Sequence, residues 1–252
     1  MPQQRRSLQR KNPQRKPSKG IIIVASRRYA YYEAAHRLID SIYDIWPEAN
    51  IALFAHDEWT KDDERCDDLY LVKDCPAHKR SKLWALPQSP FQKTLYIDAD
   101  CYVVHEDIQD LFEFDGHMGF TNIRSYAGKI AKFIGGEMTL HGGVFAYDDS
   151  DTTMEFLQDW WDYYEKQSTR EWWPEEQKAQ QRDLEHWDQF TLWWLLENKW
   201  KDKLKVHIYK DDARYNYIHV YNEGECDGEI VIWHYTIPFE EMQHERNINQ
   251  ES

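Results

Sequence analysis

Two aspartates, Asp98 and Asp100, stand one small residue apart, behind the apolar run Leu95-Tyr96-Ile97 and ahead of Val103-Val104. In an extended segment side chains alternate faces, so positions two apart point the same way. Two carboxylates on one side of a strand end repel each other unless a cation lies between them. Hard divalent ions such as Mg²⁺ and Mn²⁺ take carboxylate oxygens and leave positions open for substrate phosphates. The pair therefore reads as a site for a metal–phosphate group. A solvated turn after the strand is the competing reading, and the apolar flank argues against it.

Further residues carry chemistry along the chain. Lys82 lies ahead of the aspartates among other basic residues, Lys79, Arg80 and Lys93. Gly142-Gly143 opens an apolar segment, where the missing side chains permit close backbone approach to a ligand. Asp188-Gln189 precedes a helical pattern, so Asp188 is open to two readings, a helix cap or a chemical carboxylate. His234 ends the apolar run Ile230–Trp233 and reads either as a metal ligand or as a buried core histidine. Tyr29 and Tyr31 follow the first apolar segment and read either as packing or as base-stacking rings.

The elements that would position these residues follow from periodicity. Ile21–Ala25 and Ile51–Ala55 are short apolar runs of the kind found in buried parallel strands, and Leu69–Val72 is a third. Tyr32–Trp46 has helical spacing and stops at Pro47. Ser81–Leu86 reads as a helix, Gly142–Tyr147 as a strand, and Thr152–Lys166 and His186–Trp200 as helices; Arg170–Arg182 reads as a polar loop or helix. Strand–helix alternation predicts an α/β sheet, in which ligands gather at the carboxyl ends of strands. Asp98 and Asp100 lie at one such end, and Ala25-Ser26 at another.

At 252 residues the chain can bury a sizeable core. The net charge of −14 hides an uneven distribution: residues 1–20 carry +7, leaving −21 on the remainder. An acidic body disfavours nucleic acid and membrane surfaces, except weakly through the basic arm, residues 1–19, which reads as disordered. The folded region is expected over 20–238, with a nucleotide-binding half at about 20–104 and an acceptor-side half at about 105–238, followed by a polar tail, 239–252. Four scattered cysteines without a CxxC pair favour a reducing compartment, and no run is long enough for a membrane span. A soluble, cytoplasmic protein is expected. The 12 tryptophans and 16 tyrosines are largely core, although Trp160, Trp161, Trp172 and Trp173 also suit stacking on an acceptor sugar.

Taken in order, Tyr31, Lys82-Leu-Trp-Ala-Leu86, Tyr96-Ile-Asp-Ala-Asp100, Gly142-Gly-Val144, Asp188-Gln189 and Trp233-His-Tyr235 resemble the GT-A class of glycosyltransferases, most of all the glycosyltransferase family 8 and glycogenin-like group. The resemblance covers roughly residues 20–236. It implies a Rossmann-like fold with a central mixed sheet flanked by helices, a UDP-sugar donor and a Mn²⁺ or Mg²⁺ cofactor. It implies Asp98, Asp100 and His234 as metal ligands. Ala25, Ser26, Tyr31, Lys82, Asp98, Ala99, Gly142 and Gly143 would meet the donor, and Asp188 with Gln189 would stand beside the anomeric carbon. Members of the group often read Asn-Ser-Gly-Val where this chain has His141-Gly142-Gly143-Val144, which alters how sugar hydroxyls would be held.

The implied reaction is hexose transfer, of glucose or galactose type, to an unknown carbohydrate, protein or small-molecule acceptor, with retention and with donor hydrolysis when no acceptor is present. Breaking a sugar–phosphate bond leaves a diphosphate with added negative charge and an oxocarbenium-like carbon, which a cation with Lys82 and a nearby carboxylate would stabilise in turn. A sugar nucleotidyltransferase is the alternative enzyme, but Ser26-Arg27-Arg28-Tyr29 lacks the glycine of its phosphate loop. An inactive sugar-nucleotide or glycan-binding domain is the third reading.

Overall fold

Alternate residues of the central strands face two different cores. The computed structural model describes residues 16–72, 74–122, 140–210, 212–218, 226 and 228–234. Among them a seven-stranded sheet runs in the order β3-β2-β1-β4-β7-β6-β8. Its strands are β1 (Lys19–Val24), β2 (Ile51–Phe54), β3 (Tyr70–Val72), β4 (Lys93–Ile97), β6 (Met118–Asn122), β7 (Leu140–Asp148) and β8 (Val206–Ile208). The first four are parallel, β7 runs antiparallel to β4 and to β6, and β8 is parallel to β6. A second sheet pairs β5 (Cys101–Val103) with β9 (Ile232–His234), antiparallel, in register Cys101 with His234.

Ile21, Ile23, Leu95, Ile97, Val144 and Ala146 pack on one side, against Leu38, Ile39 and Ile42 of helix α1 (Tyr29–Ile45). Ile22, Tyr96, Phe145 and Tyr147 pack on the other. There they meet Phe156, Leu157 and Trp160 of α4 (Asp151–Ser168) and Leu192 and Leu195 of α6 (Asp188–Glu197). Burial of both faces is why these strands read as unbroken apolar runs rather than as alternating ones. Between these helices lie three short ones, α2 (Asp57–Thr60), α3 (Ser81–Ala85) and α5 (Gln181–Leu184).

The mixed sheet flanked by helices is the architecture expected from the sequence. Boundaries move by a few residues. Helix α1 starts at Tyr29, three residues before the first strongly periodic position, and the last helix starts at Asp188 because Trp187 is its N-cap. The ordered chain also begins before Gly20. Lys19 already pairs with Lys93, and the carbonyls of Pro17 and Ser18 accept from Gln92 and Lys93. Residues 1–15 of the basic arm, Tyr235 and the tail 239–252 lie outside the described residues.

Strands β5, β6 and β8 were not anticipated. Met118-Gly-Phe-Thr-Asn122 lies between β7 and β8 in the large sheet. Gly119 is needed there because the Tyr209 phenol occupies the place of a Cβ. Burial explains the cysteines as well: Cys66, Cys75 and Cys101 are buried free thiols, and Cys226 is a half-buried one. No helix among the described residues is long and apolar enough to cross a membrane.

Candidate active site

Asp98 follows directly on β4, and its backbone N–H donates to the carbonyl of Gly143 at 2.8 Å, so the aspartate loop is tied to the glycine pair of β7. The Tyr96 hydroxyl donates to Asp98 Oδ1. Two residues on, Asp100 meets the second sheet. His234 Nε2 lies 3.4 Å from Asp100 Oδ1 and 3.8 Å from Asp98 Oδ2. The β5–β9 register, which sets Cys101 opposite His234, brings the histidine there.

Opposite these groups stand two cations and a third carboxylate. Lys82, from α3, donates to the Gly142 carbonyl at 2.6 Å and lies 3.5 Å from Asp98 Oδ1 and 3.2 Å from Asp188 Oδ2. Arg80 Nε is 3.0 Å from Asp188 Oδ1. Asp188 is the first residue of α6; Trp187 holds the N-cap position, and the Trp160 indole donates to the Asp188 backbone carbonyl. The Asp188 carboxylate lies against Arg80 and Lys82. Trp160 is fully buried, so it is no sugar platform. Trp172 and Trp173 pack about Leu184 and Phe190 in a small separate cluster, and Trp161 packs against the main core.

Burial and charge oppose each other at each titrating group. Burial pushes the Asp188 carboxyl up, but Arg80 and Lys82 outweigh it and hold the group below the usual carboxylate range. For Asp100 burial also pushes up, and His234 brings the net below normal. Burial lowers His234, and the charge of Asp100 more than reverses this. His141 is held well below the usual imidazole range by burial, so it is neutral. Tyr31 is raised, by burial first and then by Asp100.

The predicted residues are mostly brought together. Ser26, Tyr31, Lys82, Asp98, Ala99 and Asp100 line one cleft at the carboxyl ends of β1 and β4. Ala25 is fully buried outside that lining, with its N–H bonded to Phe54. Gln189 is turned to the Leu140 carbonyl, 3.3 Å away at the start of β7. Tyr29 is half exposed and leans on Tyr32 and Trp59, away from the cleft. Lys93 donates to the Phe112 carbonyl instead; Lys79, Arg80 and Lys82 all line the cleft, and Arg80 and Lys82 are the two ion-paired with Asp188. Sequence reasoning gave Arg80 no role, and nothing in its local pattern sets it apart from Lys79.

Asp100 and His234 are placed to share a divalent ion, and with Cys101 they form a compact group of possible ligand atoms. Two ligands about 2.1 Å from one ion at a right angle are about 3 Å apart; Asp100 is 3.4 Å from His234, whereas Asp98, 3.8 Å from His234, stands outside that compact group and would have to turn to join it. The cradle is also kept open. A Cβ on Gly143 would fall 2.5 Å from His234 Cε1 and 2.9 Å from Asp98 Oδ2. Cys101 Sγ lies near Asp100 and His234, but burial, with the charges of Asp100 and Asp98, raises its thiol far above the usual range. In the metal-free protein it is a neutral thiol. Gly143→Ala is expected to keep the fold, displace His234, and weaken Mn²⁺ binding by roughly 10- to 100-fold, in line with the loss of a ligand-orienting group; calorimetric titration with Mn²⁺ measures it.

Solved structures of the same shape are known. GlyE of Streptococcus pneumoniae, a glycosyltransferase, superposes with a TM-score of 0.58 at 19% identity, covering 86% of this chain and 55% of its own. The galactosyltransferase LgtC, solved with donor and acceptor sugar analogues, gives 0.53 at 16% identity over 87% of each chain. A glycosyltransferase that acts in glycosylation of the PBCV-1 major capsid gives 0.53 at 12% identity, over 91% and 98%. The fold is that of the GT-A glycosyltransferases. This chain spans just over half the length of GlyE. No protein-family profile and no curated protein matches it. Within the GT-A fold described here, the cleft lies where β1 and β4 end, the position that parallel sheets reserve for ligands.

Proposed function

We propose that this chain transfers a hexose, of glucose or galactose type, from a UDP-sugar to an acceptor, with retention at the anomeric carbon and dependence on Mn²⁺ or Mg²⁺, as members of glycosyltransferase family 8 do. The observation that carries the reading is the ion-paired cluster of Asp98, Asp100 and His234 with Lys82, Arg80 and Asp188, of which Asp98, Asp100, Lys82 and Arg80 line the cleft. Arg27, Lys79, Arg80 and Lys82 offer positive charge to a diphosphate at the cleft, and Asp98 and Asp100 offer carboxylates to a divalent ion. Asp98, Asp100 and His234 would hold the cation, and the mixed oxygen and imidazole set favours Mn²⁺ over Mg²⁺. A bound divalent ion supplies electrostatic stabilisation of the departing diphosphate.

The chain's own groups do the rest. Lys82 sits between Asp98 and Asp188 and is placed to turn toward a diphosphate as negative charge grows on it. That turn would free Asp188 Oδ2, which has the Lys82 ion pair but no well-formed hydrogen bond. An ionised Asp188, still oriented by Arg80, would then face the oxocarbenium-like carbon. Tyr31 offers a ring at the cleft wall for the uracil. A panel of nucleotide sugars with Mn²⁺, read by released nucleotide, tests the proposal. UDP release from UDP-glucose or UDP-galactose, abolished by EDTA, is the expected result. Absence of both binding and turnover with every UDP-sugar would overturn it.

A further inference from the structure

The buried carboxamide of Asn216 touches both histidines of the site. Asn216 ends the 3₁₀ turn Asp212–Asn216, and the backbone pairing of Tyr217 with β9 holds it beside His234. It is 1% exposed, and its neighbour Thr121 on β6 is fully buried. Three contacts involve the amide: Nδ2 to Thr121 Oγ1 at 3.0 Å, Nδ2 to His141 Nδ1 at 3.0 Å, and Oδ1 to His234 Nδ1 at 2.7 Å.

The direction of each bond follows by elimination. The Thr121 hydroxyl has one hydrogen and donates it to the Val144 carbonyl at 3.2 Å, so toward Asn216 its oxygen can only accept. The amide atom facing Thr121 must therefore be the NH₂. His141 Nδ1 already accepts from the Gly143 N–H at 3.1 Å, so it carries no hydrogen, and the second hydrogen of Asn216 shares that lone pair in a three-centre contact. Only the carbonyl oxygen of Asn216 remains, and His234 must donate Nδ1–H to it. Both amide hydrogens and the amide oxygen are thus committed, and the amide cannot flip without breaking all three bonds.

We propose that Asn216 is the positioning residue of the metal site: its single amide holds His234 as the Nδ1–H tautomer, presenting the Nε2 lone pair toward Asp98 and Asp100, and holds His141 as the opposite, Nε2–H tautomer. A metal-ligating imidazole needs its other nitrogen engaged as a donor, and this partner fixes both tautomer and ring direction. With the Gly143 N–H, the same amide makes His141 a neutral donor at Nε2, since both donors point at the Nδ1 lone pair. The two rings, 5.3 Å apart, thus expose opposite hydrogen-bonding characters on one site. The cation at His234 rests on the function proposed above; the tautomers do not.

Two measurements decide it. In metal-free protein labelled with ¹⁵N-histidine, at a pH where both rings are neutral, nitrogen shifts should place the hydrogen of His234 on Nδ1 and that of His141 on Nε2. The reverse assignment for either ring would overturn the inference, whether or not the protein binds metal. Asn216→Ala should weaken Mn²⁺ binding by roughly 10- to 100-fold and leave His234 as a mixture of tautomers. A folded Asn216→Ala protein with unchanged Mn²⁺ affinity would overturn the positioning role. If that variant does not fold, Thr121→Val, which removes only the group that orients the amide, should mix the His234 tautomers; unmixed tautomers there would refute the elimination. Absence of Mn²⁺ binding by the natural protein would strike the function proposed above, while the tautomer assignment would still be read.

Discussion

Asp100→Ala is expected to abolish sugar transfer, lowering kcat/KM by at least about 10³-fold, the scale on which a missing charge-stabilising group acts, while leaving the metal-free protein folded. Asp100 and Asp98 are like charges at one strand end, so removing one relieves repulsion as it removes the contact with His234. The metal-free unfolding midpoint should therefore move little. The response to Mn²⁺ is what should vanish. A ligand at 100 times its Kd stabilises the folded state by about 2.7 kcal/mol, or roughly 5–11 °C for a chain of this size. Thermal melts of natural protein and variant, with and without Mn²⁺ and UDP, separate the two effects. A variant that still gains the full stabilisation would remove the cation from Asp100.

Asp188→Asn is expected to lower kcat by about 10²- to 10³-fold with a much smaller change in KM, because the carboxylate is placed to meet charge that develops only in the transition state. It carries a stability cost too. Asp188 is 3% exposed and binds Arg80 and Lys82, so the amide removes the anion facing Arg80 and one of the two facing Lys82, which keeps Asp98. Removing one partner of a buried pair costs about 3 kcal/mol, the lower end being apt because Arg80 is partly exposed. The pH dependence has a definite sign. The folded carboxyl is held below its ordinary value, so its contribution is complete above the unfolded pKa of about 3.9 and disappears as pH falls through the lower folded value. Natural protein and variant should differ most near neutrality and converge below the usual carboxylate range. A gap in unfolding free energy that persists unchanged in acid would contradict the ion cluster. Lost stability with intact kcat would make Asp188 structural.

Local pattern revealed the elements whose cause is local. Ile21–Ile23 and Leu95–Ile97 are apolar at every position because both faces of the sheet are covered, and Pro47 stops α1 by chemistry visible in the chain. The apolar flank of Asp98 and Asp100 was legible in the same way, but the pair lies in the turn between β4 and β5, with the Cys101 N–H bonded to the Asp98 carbonyl, so strand alternation does not govern where the two carboxylates point. Strand β6 was not legible, because Gly119 answers to Tyr209, remote in sequence. The role of Asp188 stayed open between cap and chemistry until the position of Arg80 was known. Asn216 gave no signal at all: its three partners come from β6, from the start of β7 and from β9.

The three-rung ladder between β5 and β9 has a temporal consequence. Asp98 and Asp100 leave the ribosome long before His234, and the large sheet can pair β1 with β4 in their absence from one another. The site itself waits on a loop closure spanning more than half of the chain, whose entropic cost grows only slowly with length but must be met before any contact rewards it. Nascent chains halted before β9 would carry the acidic pair beside Lys82 with no imidazole opposite. Competence for chemistry would thus be acquired at a late step, after the scaffold that supports it has formed.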